Sequence, residues 1–131
     1  MNKKLSVLMS ALLLVLAGVN CFAQSNEAKA RALQGEWVCI TLQDGDEIYK
    51  LSESPYKEVV EMVWKFEGDT LTSVSKNIQA GTSQTDTATY SVDGDSLVLA
   101  SGGKRDVYPY TLNGNILIAS GDGYVFTLRK R

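Results

Sequence analysis

The chain has 131 residues, with 13 lysines and arginines against 15 aspartates and glutamates, and it contains no histidine. This length fits one domain with its own hydrophobic core. The mildly negative charge argues against nucleic acid and anionic membrane surfaces as partners. Without histidine the chain lacks the commonest acid–base residue near neutral pH and the commonest transition-metal ligand. We therefore expect a non-enzymatic protein without a metal or cofactor.

The first 23 residues are predicted to be a signal peptide. Lys3 and Lys4 give a positive start, and the apolar run that follows, residues 5–19, is too short for a membrane span. Small residues then stand where a signal peptidase reads the chain, which places cleavage after Ala23.

The mature part, residues 24–131, is predicted to be one domain that is periplasmic or secreted, with no stable membrane insertion after cleavage. The alternative is a lipoprotein acylated at Cys21, but Asn20 is not the small residue expected before such a cysteine. Cys39 is the only other cysteine, so the mature domain cannot form an internal disulfide. We expect Cys39 to behave as a small buried hydrophobic residue.

A short helix is predicted over residues 25–33, with Ser25 as its N-cap and Gly35 able to end it. No later segment has helical periodicity. Short runs of β-branched, aromatic and leucine residues, separated by glycine turns, predict strands instead. These strands lie near residues 36–42, 47–51, 58–66, 69–77, 84–92, 95–101, 104–112, 115–120 and 123–130, the second being the weakest.

One eight-residue hairpin pattern occurs three times, at residues 64–71, 90–97 and 110–117. It consists of an aromatic, a polar and an apolar residue, an X-Gly dipeptide, an Asp or Asn, any residue, and a leucine. A two-residue type I′ loop at each X-Gly pair would bring the aromatic opposite the leucine. The predicted cross-strand pairs are Trp64–Leu71, Tyr90–Leu97 and Tyr110–Leu117.

Strand alternation gives each sheet an apolar and a polar face; Met62, Trp64 and Phe66 share one face, for example. Pro109 lacks an amide donor and is expected at a bulge or an unpaired position. A long meander exposes two edges unless it closes on itself. The sequence therefore predicts an all-β fold, an antiparallel up-and-down barrel of eight, possibly nine, strands after a short helix.

Gly35 and Trp37 at the head of the first strand, with Arg129 in the last, resemble the signature of the calycin superfamily, which includes the small bacterial lipocalin-like domain proteins. The resemblance implies a lipocalin-like barrel in which Trp37 plugs one end. It also implies that Arg129 stacks across the indole by a cation–π contact and ties the last strand to the first.

A more distant resemblance, through Leu33, Gly35, Trp37 and the basic tail 127–131, is to small periplasmic inhibitors of bacterial metalloproteases. Those proteins insert an extended N-terminal segment into the protease cleft. This resemblance implies a protein partner instead of a small ligand. A filled structural barrel of the cell envelope is a third alternative.

The lipocalin resemblance implies a small hydrophobic ligand inside the barrel. Side chains with apolar bodies and polar tips suit such a site, although they could equally fill a narrow barrel. Ser73 and Ser75 favour a cavity because serines fill space poorly, and residues 43–57 could form a lid over it. The candidate ligand-binding residues are Tyr49, Tyr56, Met62, Trp64, Tyr90, Tyr108 and Tyr110.

Overall fold

The computed structural model describes residues 26–131. The predicted signal peptide, the alternative anchor at Cys21 and the predicted N-cap Ser25 lie outside the described residues. Residues 26–33 form helix α1, in agreement with the predicted helix. Among residues 26–131 we find no helix with the length and hydropathy needed to span a membrane.

Nine antiparallel strands follow one another within the compact unit Leu33–Arg131. A short 3₁₀ helix, Tyr56–Glu58, separates the second strand from the third. The strands are β1 (Gly35–Asp44), β2 (Glu47–Lys50), β3 (Val60–Glu67), β4 (Thr70–Asn77), β5 (Thr82–Asp93), β6 (Ser96–Ser101), β7 (Lys104–Asn113), β8 (Ile116–Gly121) and β9 (Tyr124–Lys130).

The sheet closes because β1 pairs with β9. Strands β1 and β3 to β9 therefore form an eight-stranded barrel, which confirms the predicted architecture, and β2 is the additional ninth strand. On its other side β1 pairs first with β3, over residues 35–38, and then with β2, over residues 41–44. The register with β9 shifts between Cys39 and Thr41, a bulge that bends β1 where its partner changes.

The hairpin loops differ from the predicted ones by one residue. Gly68, Gly94 and Gly114 each have φ of 62° and are the first of two loop residues, not the second. Positive φ at the first loop residue alone is typical of a type II′ turn, for which glycine is the usual residue. The three predicted pairs are therefore wrong, although the side chains keep their faces because each partner moves by two positions. The aromatic residues pair instead as Trp64–Ser73, Tyr90–Leu99 and Tyr110–Ala119.

Antiparallel connectivity gives the barrel two ends with different turns. We call one the packed end; it contains the turns at residues 68–69, 94–95 and 114–115. We call the other the cavity end; it contains the turns at residues 45–46, 78–81, 102–103 and 122–123. The largest fully buried side chains all belong to inward positions near the packed end, or directly precede it: Leu33, Trp37, Phe66, Leu97, Leu117 and Leu128.

Trp37 is fully buried, and its indole Nε1 donates a hydrogen bond of 2.8 Å to the carbonyl oxygen of Leu33. The prediction that Arg129 covers this ring is wrong. Trp37 is the cross-strand partner of Lys130, whose Nζ lies 5.3 Å from the ring centroid. Because neighbouring residues of a strand face opposite ways, Arg129 is directed outward and is exposed.

Gly35 is required where β1 enters the barrel. Its φ of 116° is one that L residues rarely adopt, and a Cβ there would lie 3.4 Å from Cε of Lys130. The glycine thus leaves room for the lysine that covers Trp37.

Cys39 is 2% exposed, as predicted for a small hydrophobic residue. Burial raises the pKa of its thiol to about 11, an effect only partly offset by backbone hydrogen bonding from Thr41 and Thr127. The thiol is therefore protonated near neutral pH and is a poor nucleophile.

Pro109 only partly agrees with the prediction: it is the cross-strand partner of Ser96 on β6, but it lies outside the ladder with β8. On β7 the ladder with β8 covers Tyr110 to Asn113, so it begins one residue after the proline. Proline has no N–H with which to continue that ladder. The remainder of β7, toward the cavity end, pairs with β6 alone.

Candidate functional site

The inside of the barrel holds a cavity of about 320 Å³ on the side of the cavity end. Its walls come from β3 to β7 and β9, at inward positions except for Thr87, which lies between the inward residues Asp86 and Ala88. Most lining side chains are apolar or aromatic: Met62, Trp64, Leu71, Ala88, Leu99 and Phe126. A mostly apolar, concave site with a few polar groups is typical of small-molecule binding sites.

The polar lining residues are Ser73, Asp86, Thr87, Ser101 and Tyr108. Asp86 is the only charged side chain among the lining residues of this cavity. Trp64, Ser73 and Asp86 are successive cross-strand partners on β3, β4 and β5, and all three face inward. With strands about 5 Å apart, the backbone of Asp86 lies about 10 Å from that of Trp64.

A chain of aromatic contacts joins the cavity wall to the packed end. The ring centroids of Phe126 and Trp64 are 5.1 Å apart, and those of Trp64 and Phe66 are 6.4 Å apart. Phe66 in turn meets Tyr90 edge-on at 4.9 Å. Aromatic pairs in such geometries contribute beyond simple burial of area. Aromatic side chains therefore close the cavity on the side of the packed end.

Tyr108 occupies the gap beside the unpaired part of β7. Its ring lies so close to Gly121 that a Cβ at that position would be 2.7 Å away. Its hydroxyl donates a hydrogen bond of 2.6 Å to Oδ2 of Asp122, in the β8–β9 turn. Burial, followed by the bond to Asp122, raises the pKa of Tyr108 well above its usual range. The hydroxyl thus remains a donor at physiological pH, and the side chain holds β7 to the β8–β9 turn.

Three of the seven predicted ligand-binding residues line this cavity: Met62, Trp64 and Tyr108. Ser73 lines it as well, which agrees with the serine argument, whereas Ser75 lies beside a different, shallow surface pocket.

Tyr90 and Tyr110 are not among the lining residues; both are buried at the packed end. The side-chain amide of Gln34 contacts the Tyr90 hydroxyl and forms two hydrogen bonds of 2.9 Å with the backbone of Gly68. The hydroxyl oxygen of Tyr110 is buried and has no hydrogen-bond partner among the described residues.

Tyr49 and Tyr56 also lie away from the lining residues. Their rings contact each other at 5.5 Å, and the Tyr49 hydroxyl donates to Oε1 of Glu47. No residue of the predicted lid, residues 43–57, lines the cavity described here. This segment forms the end of β1, a turn, β2 and the start of the 3₁₀ helix, which corresponds to the alternative of a surface connection with a small edge strand.

Sequence reasoning missed several lining residues, above all Asp86, Leu99 and Phe126. Alternation along β6 and β9 could have identified Leu99 and Phe126 once the hairpin register was known. Residues 82–87 of β5 are all polar and exposed, so their sequence gives no sign of which of them face inward.

Among residues 26–131 we find no cluster of three or more histidine, cysteine or acidic side chains that could hold a metal ion. The inward polar side chains of the cavity carry one carboxylate, on Asp86, and three hydroxyls, on Ser73, Ser101 and Tyr108. They are suited to hydrogen bonding and to attracting a cation.

The arrangement agrees with comparisons to known proteins. A family model described as a lipocalin-like domain matches residues 33–119, which is more than half of the chain. The chain belongs to the lipocalin-like domain family. A search of curated proteins returned no match.

Two solved structures are similar to this lipocalin-like domain. One is a lipocalin-like protein from Bacteroides uniformis ATCC 8492, with 15% identity and a TM-score of 0.59, covering 76% of this chain and 98% of that one. The other is an uncharacterized protein from Bacteroides eggerthii DSM 20697, with 13% identity and a TM-score of 0.57, covering 76% of this chain and 99% of that one. At these identities the likeness establishes the fold.

Proposed function

We propose that this lipocalin-like domain binds a small, largely apolar molecule in the cavity bounded by Trp64, Leu99 and Phe126. The observation that carries the proposal is that side chains fill the barrel at the packed end but leave a cavity at the other end. Inward side chains at the packed end leave almost no exposed surface, whereas the same strands enclose about 320 Å³ toward the cavity end.

The size of the cavity limits the ligand. Small-molecule sites span roughly 300–1,000 Å³, so this cavity is at the lower limit. A dry cavity of about 150 Å³ already accommodates benzene. A body of about two fused rings, or an equivalent branched chain, is the size expected here.

We propose binding without catalysis. The hydroxyls of Ser73 and Ser101 have no histidine beside them to act as a base, since the chain contains none. Asp86 lies on the exposed rim, where a carboxylate keeps its solvation. Membership of a family of binding barrels supports the same proposal.

The test is a fluorescence titration with N-phenyl-1-naphthylamine, a neutral apolar probe. Ser73→Leu adds bulk inside the cavity, whereas Thr72→Leu adds the same bulk to the neighbouring outward position, which lines a groove on the outer surface. We expect saturable binding by the wild type and by Thr72→Leu, and binding at least tenfold weaker by Ser73→Leu. Equal binding by both variants, or no saturable binding by the wild type, would leave a filled structural barrel as the better account.

We further propose that the domain is exported and begins at Gln24 after cleavage. The positive start, the apolar run and the small residues before that position support this. Expression of the full chain in a bacterial host and intact-mass measurement of the product should give the mass of residues 24–131. A lipid-modified product beginning at Cys21 would establish anchoring instead.

A further inference from the structure

The charged side chain in the lining of the cavity is a carboxylate, that of Asp86 at the rim. The side chain lies on the inner face of β5, opposite Ser73, and belongs to the cavity wall. Its Oδ2 accepts a hydrogen bond of 3.3 Å from the amide of Gln84. Within residues 26–131 the ion pairs found do not include Asp86. A ligand in the cavity therefore meets a carboxylate that no cation of residues 26–131 neutralises by direct contact.

Charged side chains on β7 add a second inward carboxylate at this end of the barrel. Asp106 faces inward on β7 as the cross-strand partner of Leu99, a lining residue, and is half-buried. The inward cation on the same strand is Lys104, which pairs with Ser101 at the exposed rim and forms no ion pair with either aspartate. The inward side chains of Asp86 and Asp106 carry two negative charges, whereas Lys104 carries one positive charge and is exposed to solvent.

The aromatic walls favour the same sign of charge. Trp64, Phe126 and Tyr108 line the cavity, and the faces of such rings attract cations. A positively charged group at the rim could contact a ring face while its counter-charge is the carboxylate of Asp86. An anionic group would meet a carboxylate and ring faces of unfavourable sign.

We propose that the ligand is a cationic amphiphile: an apolar body held between Trp64 and Leu99, joined to a protonated amine or quaternary ammonium that Asp86 recognises. This inference rests on the proposed function and adds the chemical class of the ligand. The apolar body provides most of the affinity, and the rim carboxylate selects the charge.

The selectivity should be modest because Asp86 is exposed. Ion pairs in contact with water are weak. Together with a ring-face contact, this corresponds to a preference of roughly three- to tenfold for a cation over a neutral molecule of the same shape.

A matched series tests this by calorimetry at pH 7 and low salt: 1-naphthylmethylamine, 1-naphthalenemethanol and 1-naphthoate. We expect the ammonium to bind three- to tenfold more tightly than the alcohol, and the carboxylate to bind most weakly. In Asp86→Asn the ratio of ammonium to alcohol affinity should fall clearly below the wild-type ratio, because the ion pair is lost and only the ring-face contact remains. Glu67→Gln removes the same charge from an exposed site at the packed end and should keep the wild-type ratio.

The outcomes separate the two proposals. If the alcohol binds and the ammonium has no advantage, or if Asp86→Asn keeps the wild-type ratio, the cationic class is wrong and the apolar site stands. If none of the three compounds binds, both proposals are wrong. Lys104→Gln provides an independent check, since loss of the rim ammonium should raise the preference for the cation.

Discussion

At the packed end of the barrel, inward residues such as Trp37, Phe66 and Leu97 have at most 1% of their surface exposed. Two residues further along β6, on the same face, Leu99 is only half-buried and lines the cavity. The strands and their alternation are the same, and the side chains differ. Large residues fill one end, whereas serines, an alanine and an aspartate leave space at the other. Stability and binding are therefore expected to reside at opposite ends.

Trp37→Ala is the largest single change that the packed end offers. It removes a fully buried ring, its hydrogen bond to Leu33 and its contact with Lys130, and should lower the free energy of unfolding by roughly 3–5 kcal/mol. Chemical denaturation measures this. Trp64→Ala is the matched change beside the cavity and should cost less. A loss below about 1 kcal/mol for Trp37→Ala would show that the indole does not hold this end together.

Gly35→Ala tests the entry of β1 into the packed end. The backbone conformation opposes a side chain, and a Cβ would crowd Lys130, so we expect a loss of about 1–3 kcal/mol in the free energy of unfolding. Gly68→Ala is the control, because its φ is also positive but no atom lies within 4 Å of the added Cβ. Equal losses would mean that only backbone conformation matters at Gly35.

Two tyrosine-to-phenylalanine changes compare the ends directly. Tyr108→Phe removes the hydroxyl bonded to Asp122 and should cost about 1 kcal/mol. Tyr110→Phe removes a buried hydroxyl without a partner among the described residues, and should be neutral or stabilising by up to about 1 kcal/mol. Thermal unfolding of the two variants under the same conditions measures the difference. A larger loss of stability for Tyr110→Phe than for Tyr108→Phe would contradict the packing described here.

Lys130→Met should have a small effect, about 0.5–1 kcal/mol, through loss of the cation over Trp37. Arg129→Met, one residue earlier and outward-facing, should change the free energy of unfolding by less than about 0.5 kcal/mol. The opposite order in urea denaturation would restore Arg129 to the position that the family resemblance gave it.

Much of the architecture follows from short-range sequence patterns. Glycine turns and alternation gave nine strands close to their observed bounds, and Trp37 with Gly35 indicated where the barrel closes. The hairpin loops were off by one residue because Glu-Gly-Asp accommodates either an X-Gly or a Gly-Asp loop. The register of β3 against β4, in which Glu67 pairs with Thr70, distinguishes the two.

The candidate site is harder to predict because it depends on where each inward residue lies along the barrel axis, between the packed end and the cavity end. Tyr90, Tyr108 and Tyr110 look alike in sequence, yet only Tyr108 reaches the cavity. Its position depends on Pro109, which ends the ladder with β8, and on the space that Gly121 leaves. The prediction of Arg129 as the residue over Trp37 failed for a related reason. The register between β1 and β9 decides which residue faces Trp37, and it places Lys130 there.

The most direct test of the division between the two ends compares Leu97→Ala with Leu99→Ala, measuring unfolding free energy and probe affinity for each. Leu97→Ala should lose about 2–5 kcal/mol of stability and bind N-phenyl-1-naphthylamine as the wild type does. Leu99→Ala should lose clearly less stability and change the dissociation constant severalfold. Equal destabilisation by the two variants, with no change in affinity for Leu99→Ala, would contradict the account.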